Sequence, residues 1–153
     1  AGVLLQFPQS FRRTAANRKY LAATVEDFRA VPVAVEFRHA SWDRGETRES
    51  LRERDVTLVV PDAPPIRSLF RPEPTATSRL GYLRLHSRDP DKWYAGAAER
   101  YDYSYSEQEL RELLENWSSV AESVEKVYTL FNNCHGGQAA DNARAFRRIL
   151  SQV

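Results

Sequence analysis

The chain has 153 residues, enough for one domain and too few for two ordinary ones. Its 22 Lys and Arg nearly cancel 21 Asp and Glu, leaving +1, and 42% of residues are hydrophobic, which excludes a disordered chain and argues against a dedicated nucleic-acid or membrane-surface binder. One Cys and no long apolar run exclude an intramolecular disulfide framework and a transmembrane helix, and suit a reducing, cytoplasmic setting.

The first apolar run, Val3-Leu4-Leu5-Gln6-Phe7, reads as a strand closed by Pro8. A helix is predicted from Thr14, its N-cap, to Arg29, with Leu21, Val25 and Phe28 at i, i+4 and i+7. Val33 to Phe37 is a second strand, opened by Pro32, where the missing N–H costs least. Glu46 to Arg54 predicts a short helix. Val56 to Val60 is nearly all apolar, as a strand buried on both faces should be. Asp62 to Arg79, rich in Pro, Ser and Thr, predicts a long loop. Leu80 to His86 is a fourth strand.

Ser106 to Glu122 predicts the clearest helix, with Ser106 and Glu109 as a capping box and a stripe of Leu110, Leu113, Leu114, Trp117, Val120 and Ala121. Lys126 to Phe131 is a fifth strand. Gly136-Gly137 leads into a last helix carrying Ala139, Ala143, Phe146, Ile149 and Leu150.

Strands alternating with helices imply an α/β fold with a parallel sheet. Two architectures fit: part of a (β/α)8 barrel, or an open five-stranded doubly wound sheet. A barrel takes about 250 residues, so five of its eight units need about 156. That length, the strand at the very start and the absence of Met favour the barrel arc, strands four to eight, as one incomplete domain. A missing N-terminal segment or self-association would then complete the barrel, because an arc leaves two open sheet edges.

Polar residues gather at the predicted carboxyl ends of the strands, where parallel α/β folds bind ligands. They are Gln6, Glu36, Arg38, His39 and Trp42, Asp62, Arg84, His86 and Arg88, then Asn132, Asn133, Gly136 and Gly137. Side-chain alternation puts Val33, Val35 and Phe37 on one face, and Glu36 and Arg38 on the other. Likewise Leu83 and Leu85 oppose Tyr82, Arg84 and His86. Alternate strands share layers in a barrel, so Glu36 and Arg84 are expected to pair or share a ligand.

Three motifs in order carry a resemblance over essentially the whole chain: Glu36-Phe37-Arg38-His39-Ala40-Ser41-Trp42, Tyr82-Leu83-Arg84-Leu85-His86, and Phe131-Asn132-Asn133 with Gly137-Gln138-Ala139 and Asn142-Ala143. Gln6-Phe7-Pro8 with Ser10-Phe11, and Tyr101 to Tyr105, add to it. Together they resemble the YecE-like family, a domain of unknown function numbered seventy-two. The resemblance implies a TIM-barrel fold and no established reaction. The family shows Gly after the strand-seven histidine, where this chain has Ser87.

Three readings of the function follow. The first is a hydrolase or lyase acting on an anionic or phosphorylated substrate. Arg38, Arg84, Arg88 and the Gly136-Gly137 helix start would bind the anion, and Glu36 and His86 would move protons. The second is metal-assisted hydrolysis by Glu36, His39, Asp62, His86 and His135, opposed by the neighbouring arginines. The third is a non-catalytic binding module, for a small ligand or a nucleic acid, using the basic cluster Arg12, Arg13, Arg18 and Lys19 and the aromatics Trp42, Trp93 and Tyr94. Cys134 precedes a helix N-terminus and is a minor candidate nucleophile. No residue pattern specifies a cofactor.

Overall fold

A parallel sheet in strictly sequential order organises the chain. The computed structural model describes residues 2–152, apart from the side chains of Ala97 and Ala98. The strands are β1 (Val3–Gln6), β2 (Val33–Glu36), β3 (Thr57–Asp62), β4 (Leu80–Leu85) and β5 (Lys126–Phe131). Their order is β1-β2-β3-β4-β5, and every pair is parallel. The sheet is open. Its order never reverses, so successive crossovers advance in one direction, as they do in an arc of a barrel and not in a sheet wound from its middle.

The helices are α1 (Ala15–Asp27), α2 (Gly45–Arg52), α3 (Ala97–Arg100), α4 (Glu107–Ser123) and α5 (Gln138–Leu150). The four-residue α3 has no sequence signature. The Thr14 hydroxyl caps α1 by accepting from Asn17 N, and Ser106 and Glu109 form the expected capping box on α4. No described helix is long and apolar enough to cross a membrane.

Alternation decides which face the helices cover. Val33, Val35 and Phe37 pack with Leu21 and Val25 of α1 and Leu51 of α2. Leu83 and Leu85 pack with Leu110, Leu113 and Trp117 of α4 and Phe146 and Ile149 of α5. Both cores lie on one side of the sheet. The central strands β2 and β3 are buried almost throughout, whereas β1 and β5 alternate because each lacks an outer neighbour. On the opposite face Leu4, Tyr128 and Leu130 are exposed in a trough of about 630 Å³.

The loop between β3 and β4 replaces a crossover helix. Its Phe70 enters the first core, and Leu69 bridges back to His39. Thr77 fastens the other end: its hydroxyl accepts from Leu58 N and donates to Val56 O.

Candidate functional site

Glu36 and Arg84 pair as expected. The register explains how. Gln6 stands beside Glu36, and Pro61 beside Arg84; carried across β3, Glu36 is level with Val59 and Tyr82, so Arg84 lies two residues further along the same uncovered face and reaches back to the carboxylate. From β4 the Arg84 guanidinium donates to Glu36 Oε2, to Gln6 Oε1 at 2.8 Å and to Asn132 Oδ1 at 2.9 Å. One side chain thereby joins groups from β1, β2 and the end of β5.

Arg38 Nε lies 2.7 Å from Glu36 Oε1, and His86 Nε2 lies 3.2 Å from the same oxygen. Neither contact is aligned as a hydrogen bond, so these three buried atoms attract without being satisfied. Glu36 and His86 are fully buried. Burial alone would raise the Glu36 pKa; the His86 contact and the charges of Arg38 and Arg84 outweigh it and hold the carboxyl below its usual range. Burial pushes His86 down despite Glu36, so the ring is neutral.

Asn132 sets the tautomer of that ring. Its Oδ1 accepts from Arg84, so its Nδ2 faces His86 Nδ1 at 3.1 Å and donates to it. The imidazole proton is therefore on Nε2, the ring nitrogen nearer Glu36. Two guanidinium charges against one carboxylate leave the cluster at +1. Among the described residues none accepts from the terminal nitrogens of Arg38, which are not sealed from solvent.

Several expected site residues lie elsewhere. Asp62 shares parity with Leu58 and Val60, so it points to the helix side, where it accepts from Arg88 Nε at 2.9 Å and from the Tyr105 hydroxyl at 2.7 Å. Arg88 also lies 3.6 Å from Glu109 and Glu112 and belongs to this second network. Burial first, then Asp62, raises the Tyr105 pKa, so its hydroxyl stays a donor. Trp42 is 2% exposed, stacks between Phe11 and Phe37, and donates to Phe11 O, so it offers no surface to a ligand or a base. Trp93 is also buried, under Arg100, whereas Tyr94 is exposed.

Asn133 is buried and holds the chain rather than facing a ligand: it donates to Tyr103 O and to Asn142 Oδ1. Asn142 in turn clasps the Tyr105 backbone through both N–H and C=O. Sequence reasoning quoted Asn142 without a role; a polar residue in register with Phe146 and Ile149 on the apolar stripe was the available signal. His39 Nδ1 accepts from Ser41 N, capping a short 3-10 turn, and burial with Arg12 lowers its pKa. Gly136 and Gly137 take φ of +56° and +84° in an exposed turn before α5, and no hydrogen bond joins them to the arginines. Cys134 is exposed and its thiol points to Asn132 O. The metal reading fails on geometry: among the described residues no three His, Cys, Asp or Glu side chains converge. Ser87 is buried and its hydroxyl accepts from Asp89 N, so it caps the turn.

The family model described as "Protein of unknown function DUF72" matches residues 1–153. The chain belongs to the DUF72 family. This DUF72 chain is 29% identical over 162 aligned positions to the UPF0759 protein YunF of Bacillus subtilis, covering 98% of the chain and 57% of YunF. Among solved structures it resembles a DUF72 protein of Thermotoga maritima, with TM-score 0.93 and 43% identity over 99% of this chain and 58% of that one. A DUF72 protein of Enterococcus faecalis gives TM-score 0.87 and 31% identity over 98% of this chain and 58% of that one. The DUF72 chain thus spans somewhat over half the length of these relatives.

Proposed function

We propose that this chain binds a small anion, a carboxylate or a phosphate group, at the carboxyl ends of β2, β4 and β5. The observation that carries this reading is the Arg38 guanidinium, held by Glu36 with its terminal nitrogens lacking an acceptor among the described residues. Such a planar fork suits bidentate recognition of an oxyanion. In hydrolase or lyase chemistry on the bound group Glu36 would accept a proton, with His86 as its partner; Glu36 touches both arginines and His86. The burial and low pKa values of Glu36 and His86 favour a first role in orienting Arg38 and Arg84. The uncovered, partly apolar face, with this cluster at its rim, further supports reading the sheet as an arc of a (β/α)8 barrel with the site at its mouth.

Titration of the full-length chain with inorganic phosphate, followed by thermal unfolding, tests the reading. Saturating phosphate, about a hundredfold above Kd, is expected to stabilise by about 2.7 kcal/mol. Arg38→Gln abolishes the effect, and Arg147→Gln on exposed α5 leaves it intact. A phosphate-independent melting temperature in the parent chain overturns the proposal.

A further inference from the structure

The basic cluster near the start of α1 is separate from the arginine site, and the structure gives it a setting. Arg13, Arg18 and Lys19 border a groove of about 410 Å³ between α1 and α2, and Arg54 borders it further along. Buried Leu21, Val25, Trp42 and Leu51 line it. Glu46 is its one acidic lining residue among those described.

Arg13, just before α1, and Arg18 and Lys19 on it outnumber the acidic lining of the groove. Elsewhere some exposed arginines pair, Arg29 with Glu26 at 2.7 Å, Arg144 with Asp141 at 2.9 Å and Arg148 with Glu107 at 3.3 Å, whereas others such as Arg52, Arg67 and Arg147 do not among the described residues. Among the described residues no carboxylate comes within 4.0 Å of Arg13, Arg18 or Lys19. Two buried polar atoms of the lining, Arg13 Nε and Thr47 Oγ1, also lack a hydrogen-bond partner, and Thr47 is only 5% exposed. Apolar lining, cationic borders and unsatisfied buried donors are the complement of an acidic amphipathic segment.

We infer that the α1–α2 groove docks an acidic amphipathic helix of a partner protein. From Ala15 to Val25 the α1 wall runs eleven residues, a rise of about 15 Å, the length of about three helical turns. Apolar residues at i, i+4 and i+7 of the incoming helix face Leu21, Val25 and Leu51, and Asp or Glu on its flanks meet Arg18, Lys19 and Arg54. Charges at both ends of the groove suit an extended partner better than one head group. A nucleic acid fits less well, because Trp42, the one aromatic lining residue among those described, is buried and already stacked.

The full-length chain is titrated with two synthetic helical peptides sharing one leucine ridge, flanked by glutamates in one and lysines in the other. The glutamate peptide binds saturably, protects α1 and α2 from hydrogen exchange, and exceeds the lysine peptide by about tenfold or more in affinity. The exposed double variant Arg18→Glu/Lys19→Glu loses that preference while its melting temperature is unchanged. No saturable binding, equal binding of the two peptides, or tighter binding of a single-stranded DNA oligonucleotide that the same variant weakens overturns the proposal.

Discussion

Arg84 and Glu36 close an ion pair across an intervening strand. They sit on β4 and β2, and β3 between them presents Val59 and Pro61 to the same face. Neither side chain has a polar atom to compete, so the guanidinium and carboxylate meet above them. Truncation of one partner leaves the other buried and uncompensated. Arg84→Ala is expected to cost about 3–5 kcal/mol, read by urea unfolding. Arg84→Lys retains the charge but loses the fork that reaches Gln6 and Asn132, and recovers only part of that loss. A neutral effect of Arg84→Ala would mean that the pair is dispensable.

Stability should fall with acid in two steps. The folded pKa of His86 is depressed from its ordinary 6.5, so below that pH the unfolded chain takes up a proton that the folded chain refuses. Stability is therefore full above about 6.5 and declines as pH falls. Glu36 is depressed from 4.5 and adds a second loss below that value. His39 adds to the first step with the same sign. Urea midpoints across pH 5 to 8 for the parent and His86→Gln isolate the His86 share: the variant has the shallower slope. Equal slopes would show that His86 protonates alike in both states.

Asn142 anchors the segment entering α4. Its side chain accepts from Tyr105 N and Asn133 Nδ2 and donates to Tyr105 O. Asn142→Ala strands these buried groups and is expected to destabilise by about 3 kcal/mol, measured by thermal unfolding. Asn142→Asp keeps the acceptor, loses the donor and buries a charge, so it should fare no better.

Thr77 is a hydroxyl clamp on β3. Thr77→Val fills the same space but leaves Leu58 N and Val56 O without their partner, at a cost of about 2 kcal/mol in denaturant unfolding. Thr77→Ser restores the donor and acceptor and should recover most of it.

Apart from α3, the element order is legible in the sequence, as are the parallel sheet, the capping box on α4 and the shared face of Glu36 and Arg84. These follow from local rules: periodicity marks strands and helices, and strict alternation along β2 and β4 puts both charges on one face. The alternation also placed Asp62 with Val60 on the helix side, a consequence that its position at a strand end obscured.

The tertiary structure alone decided how the polar strand ends divide into two networks, Arg38–Glu36–Arg84–His86 on the open face and Asp62–Arg88–Tyr105 beneath the helices. Past the last paired residue the period of two no longer applies, so Arg88, Asn132 and Asn133 take directions set by their partners. The same holds for Trp42, whose burial depends on Phe11 and Phe37 arriving from different parts of the chain. Spacing encodes which face a strand residue takes; it does not encode which distant group satisfies a charge once the strand has ended.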